Sequence, residues 1–277
     1  MMRNVPFSSR SAVSALGQGV SAFGWTIAIV VLSLSAWLGV LVLMGSMDEG
    51  PGTPLHDLPV FLASWVVMLT AMMLPSELNY IGAFAALLKV RDRASVAWTR
   101  VMVCFVAGYG IAWVAYGLAA YLLDSAVRAV SPEIIAWNRA GPLLAGSVLI
   151  IAGLYQVSSL KQACLTGCRS PLSFFARYWR EGDFSAVVMG ARHGMVCVGC
   201  CWAMMAVMFA VGAMSITWMA LLTLVMFAEK VLPKGRTLTM PIACFFCAMG
   251  IWIVMSPETA PLLKNSMMFG PSIRHEH

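Results

Sequence analysis

Apolar runs long enough to cross a bilayer, separated by short clusters of charge, constrain this chain more than any other feature. Hydrophobic residues make up 60% of the 277 and charged residues only 11%, and the charges stand between the runs. A spanning helix needs about 20 mostly apolar residues, because inside the hydrocarbon core every backbone N–H and C=O must be bonded within the protein. Stretches of that kind fall near 25–45, 60–80, 98–122, 141–158, 190–213, 216–231 and 239–256. The expectation is an all-α, polytopic transmembrane helical bundle of six to seven spans. The sixth run is short and its connection to the fifth, around Met214 and Ser215, is minimal, so these two form either a tight hairpin or a partly re-entrant pair. Trp25 to Met44 is too long for a signal-peptide core and lacks a cleavage site, so it reads as a retained anchor. On this division residues 1–23 are a flexible tail, 24–258 the transmembrane domain with a cytoplasmic Cys loop at about 159–192, and 259–277 a C-terminal tail.

Basic residues orient the bundle, since loops rich in Lys and Arg stay on the cytoplasmic side. With the N-terminus inside, the inner segments collect 14 of the 18 Lys and Arg, including Lys89, Arg91, Arg93 and Arg100, and Lys161, Arg169, Arg177, Arg180 and Arg192. The first outer loop carries Asp48, Glu49 and Asp57 instead. The predicted place is therefore a bacterial inner membrane, multi-pass, with a cytoplasmic N-terminus. The net charge of +6 is then accounted for by topology and anionic lipid, with no nucleic-acid partner.

All eight cysteines map to the cytoplasmic half of this topology, where thiols serve as ligands or redox groups more often than as structural disulfides. His193, Cys197, Cys200 and Cys201, followed by Met204, Met205 and Met208, fall on one face of a helix at about 100° per residue. Imidazole and thiolate suit zinc or copper, and a stripe that runs from thiolate into thioether favours Cu(I), because zinc rarely uses Met. A second pair, Cys164 and Cys168, lies one turn apart on a short helix that must end before Pro171, so both sulfurs can meet one metal. Met68 and Met72, also one turn apart, would line the opposite wall of a soft-metal path; packing filler is the alternative reading of those methionines. Cys104 reads as a small apolar residue, and Cys244 with Cys247 as either packing or a chelating pair. Glu77 and Glu229 are the intramembrane acids, Glu229 with Lys230 also reading as an interfacial ion pair.

The segments AMMLPS at 71–76, SLKQACLTGCRSPLSFF at 159–175 and GARHGMVCVGCCWAMMAVMFAVGAMSITWMALLTLVMFAEK at 190–230 together resemble a bacterial family of predicted metal-binding integral membrane proteins. The resemblance spans roughly 60 to 235. By it, Cys164, Cys168, His193, Cys197, Cys200, Cys201, Trp202, Met208, Trp218, Glu229 and Lys230 fall on the family pattern. Glu77 departs from it, since a small or apolar residue is expected after the Pro-Ser step.

The function expected is membrane-embedded binding and relay of copper through a Cys/His/Met site, with Cu(I) as the first choice and zinc or iron as alternatives. The receiver would be another membrane or periplasmic cuproprotein. Two other classes stay open: a copper or iron membrane oxygenase or thiol oxidoreductase, and a subunit held together by structural zinc. Four histidines in the whole chain weigh against oxygen chemistry, which draws on several His or carboxylate ligands.

Overall fold

The computed structural model describes residues 20–44, 57–91, 95–130, 140–211, 216–232 and 235–256. The tail up to residue 19, outer-loop Asp48, Glu49 and His56, the Met214–Ser215 connection and the C-terminal tail from 257 lie outside the described residues. Among those described there is helix and no strand. In chain order the helices are α1 (Val20–Met44), α2 (Leu58–Met73), a 3-10 turn (Leu74–Glu77), α3 (Leu78–Arg91), α4 (Ser95–Val130), α5 (Gly141–Gln156), α6 (Ser159–Cys168), α7 (Pro171–Tyr178), α8 (Asp183–Val211) and α9 (Ile216–Val231), then a 3-10 turn (Gly235–Leu238) and α10 (Thr239–Met255).

The break between α2 and α3 has a local cause. Pro75 has no N–H, so the carbonyl four residues earlier, on Ala71, loses its helical partner. Ser33 Oγ and Trp37 Nε1 of α1 donate to that oxygen at 3.2 and 3.1 Å. The freed carbonyl thereby ties α1 to α2, and the chain tightens into a 3-10 turn that carries Ser76 and Glu77 into the interior.

The central packing is α4 against α8, with α5 against α10 next. Glycine permits both close approaches. A Cβ built on Gly190 would strike the Phe105 carbonyl, and one on Gly194 would come within 2.9 Å of the Tyr109 carbonyl. Gly146 and Gly250 do the same for α5 and α10, each facing the other's carbonyl oxygen. Small residues that let backbones touch are how helices associate where apolar burial supplies little driving force.

Between α5 and α6 the chain bends by 68°. Ser158 caps α6, its side chain accepting from the Lys161 N–H at 3.2 Å, and Pro171 opens α7 after the turn at Arg169 and Ser170. The segment 159–192, which holds the short helix expected for Cys164 and Cys168, is mostly helical. Gly182, at φ 101°, supplies the left-handed step before α8, which begins at Asp183, well ahead of His193.

Among the described residues, three stretches are long and apolar enough to cross a membrane: Leu58–Leu88, Thr99–Val130 and Asp183–Ala210. Gly141–Gln156 with Ser159–Cys168 makes a fourth if the bent pair is one span, and the apolar stretches Thr26–Val42 and Thr239–Met255 are shorter. Three to four is fewer than the six to seven expected from apolar windows. Such windows ignore where a helix bends or ends.

Candidate metal centre

The α8 residues Cys197 and Cys200 stand one turn apart, and α6 folds back across them. Their sulfurs and that of Cys168 all lie within 4.8 Å of one another, and all three residues are buried. Cys168 Sγ is 3.4 Å from Cys200 Sγ. The Cys200 thiol also donates to the Cys197 carbonyl at 3.1 Å, a bond within the helix that orients its sulfur toward α6. Sulfurs sharing one ion at metal–sulfur bonds of about 2.3 Å stand about 4 Å apart, so the spacing fits a bound soft metal.

The other expected site residues are placed differently. Cys201 Sγ lies 3.2 Å from Cys200 Sγ but is outside the mutually close trio. Cys164 is half-buried at the rim, packed against Gly199, where an added Cβ would come 2.6 Å from its sulfur. Met68, Met72, Met204 and Met208 are buried in the same core as the trio, with Met73, Met205 and Met226.

His193 is turned to another task. Its Nε2 pairs with Glu77 Oε2 at 2.6 Å, and its ring lies flat on Tyr80 with centroids 3.7 Å apart. Phe174 meets that ring edge-on at 5.6 Å. The imidazole, 1% exposed, thus belongs to an aromatic and acidic cage next to the sulfurs, and it is not among the three ligand atoms that converge.

Glu77, which departs from the pattern of the resembled family, is the hub of that cage. Its Oε1 receives the Lys230 ammonium at 2.9 Å and the Tyr109 hydroxyl at 3.4 Å. Lys230 also reaches Cys197 Sγ at 3.0 Å and Ser76 Oγ at 3.2 Å, and Tyr109 Oη lies 3.2 Å from Cys197 Sγ. Cys197 is therefore flanked by a cation and a phenol on one side and by two sulfurs on the other. An acid directly after a Pro-broken apolar run, and a Lys inside an apolar helix, were visible signals for Glu77 and Lys230. Tyr80 and Tyr109 carry no such signal; their roles arise from α3 and α4 packing beside α8.

Backbone carbonyls complete the frame. The Tyr80 hydroxyl donates to the Gly167 carbonyl, fixing α6 to α3. Tyr155 donates to the Gly199 carbonyl at 2.5 Å, and Tyr116 to that of Trp202 at 2.9 Å. The last two bonds hold α8 on either side of Cys200 and Cys201.

Residues 62–253, more than half of the chain, match the family described as PpoB2, copper chaperone. The chain belongs to this family. The match covers α2 through most of α10, and so includes all three converging cysteines, Glu77, His193 and Lys230. Membership in the PpoB2 family supports copper binding by this chain. No curated protein and no solved structure matches the chain.

Proposed function

We propose that this protein is a membrane-embedded Cu(I) chaperone that captures the ion at Cys164 and Cys168, holds it between Cys168, Cys197 and Cys200, and passes it on along a methionine-lined path. The observation that carries the reading is the buried trio of sulfurs, drawn from two helices, with Cys168 32 residues from Cys200 in sequence, and mutually within 4.8 Å. Soft thiolates select Cu(I), whereas structural zinc closes a set of four ligands. Three metal-bound thiolates carry excess negative charge, and the Lys230 ammonium against Cys197 offsets part of it. His193 then serves as the partner of Glu77 and holds the carboxylate that in turn holds Lys230.

Embedding in the inner membrane is supported by the distribution of polarity. Leu38, Val42, Ile111, Leu123 and Leu154 are exposed, while Glu77, Lys161, His193, Glu229 and Lys230 are buried, the reverse of a soluble surface. The basic-residue bias supports a cytoplasmic N-terminus, with six crossings if the bent pair and the two shorter apolar helices also span, and a seventh if α9 does. Cys164 at the rim is then the point of entry. Met204 and Met208, with Met68 and Met72 across the core, lead away from the trio toward a membrane or periplasmic cuproprotein.

Two measurements test this. Protein purified in detergent should bind about one equivalent of copper, and Cys200→Ser should lose it; tightly held zinc that survives chelation would favour a structural role instead. Replacing Met204 and Met208 together with Leu keeps volume and apolarity. Bound copper should be unchanged, and delivery from membrane vesicles to an acceptor should fall. Delivery at the wild-type rate would reduce the methionines to packing.

A further inference from the structure

Two of the three sulfurs are set by one helix, since Cys197 and Cys200 sit on α8. The third depends on where α6 lies. Lys161 and Cys168 are seven residues apart, about two turns, and share the buried face of α6 with Leu165. The Lys161 ammonium is completely buried, donating to Glu229 Oε2 at 2.7 Å and to the Gln156 side-chain oxygen. Glu229 stands on α9 beside Lys230, and Lys230 holds Cys197 on α8. Consecutive residues of α9 thus grip the two thiol-bearing elements, one each.

Apolar side chains could bury the same face without desolvating two charges. A buried ion pair differs in being specific for register: sliding α6 by one turn would leave both charges unpaired, whereas Leu against Leu tolerates such a slide. We infer that the Lys161–Glu229 pair is the positioning device that docks Cys168 into the copper site, so that α6 supplies the third sulfur only while the pair is made. This rests on the reading of the three thiols as the copper ligands, and it assigns to Lys161 and Glu229 a role through Cys168 without contact to the ion.

The test is a double replacement, Lys161→Met with Glu229→Met, which removes both charges and leaves no stranded one. Copper-loaded protein in detergent is read by X-ray absorption for the number of bound sulfurs, and by competition with a chromophoric Cu(I) chelator for affinity. Wild type should show three sulfurs, and the double variant two, with affinity at least about tenfold weaker. Adding Cys168→Ser should weaken wild type by a similar factor and the double variant hardly at all, a non-additivity that general loosening would not give. Should the double variant not fold, Glu229→Gln keeps the shape and the acceptor for Lys161 and is read in the same way, with a loss of severalfold. Three sulfurs at wild-type affinity in the folded variants would overturn the inference while leaving the copper reading intact. Copper binding unaffected by Cys200→Ser would overturn both.

Discussion

Glu77 lies where Pro75 turns the helix inward, and two buried groups of opposite origin depend on it: His193 from α8 and Lys230 from α9. Removing one partner of a buried charge pair leaves the other without compensation, which costs about 3–5 kcal/mol. Glu77→Ala should destabilise the protein by that order, seen as a lowered unfolding temperature in detergent. Adding Lys230→Met should restore part of the loss, since no buried ammonium is then stranded. A Glu77→Ala protein as stable as wild type would show that the cage does not depend on the carboxylate. At this scale the sequence was informative about residue types and poor about partners. Cysteine and histidine at helical spacing marked the right face of α8, yet the imidazole ends on Glu77 because an acid 116 residues away is carried to it by a proline break. The i, i+4 pair Cys164 and Cys168 suggested two equivalent ligands. The orientation of α6 buries Cys168 among the sulfurs and leaves Cys164 at the rim.

Helix crossings decide whether these partners meet at all. Gly190 and Gly108 bring α8 and α4 into backbone contact, and that contact holds Tyr109 beside Cys197. A methyl group at Gly190 meets the Phe105 backbone carbonyl, which cannot rotate away, so the helices must part. Gly190→Ala is expected to cost about 1–3 kcal/mol through overpacking and to weaken copper binding with it. Gly110, on the same α4, has nothing within 4 Å of an added Cβ. Gly110→Ala should be neutral or stabilising by up to about 1 kcal/mol, since Ala is the better helix former. Thermal unfolding of both variants side by side checks the pair of expectations, and equal effects would count against the crossing as the cause. Apolar run length made these helices legible as helices. It was silent on the 68° bend between α5 and α6, because that bend follows from the cap at Ser158 and from the fit of α6 against α8 and α9.

For the molecule as a whole, the proposed topology places the thiol trio near the cytoplasmic face, where a reducing environment keeps cysteines free for metal. A reporter fused after Ser131 should read as periplasmic and one fused after Arg180 as cytoplasmic, following the 14 of 18 basic residues assigned to the inner side. The opposite pattern would put the sulfurs in an oxidising compartment and make a Cys168–Cys200 disulfide the competing fate of that pair.

Composition and spacing alone determined that the chain is helical, that its helices are apolar enough to place several in a bilayer, and that soft ligand atoms gather on one of them. Those properties are local: hydropathy is summed over a window, and the face of a helix is set by 3.6 residues per turn. Only the tertiary structure decided that Cys168 rather than Cys164 joins Cys197 and Cys200, that Glu77 takes His193 away from the sulfurs and holds Lys230 beside them, and that Lys161 and Glu229 meet in the interior. Each of these is a contact between elements distant in sequence, produced by a proline break, by glycine-paved crossings and by the need of every buried charge for a partner, and no periodicity within a single helix encodes which distant side chain that partner will be.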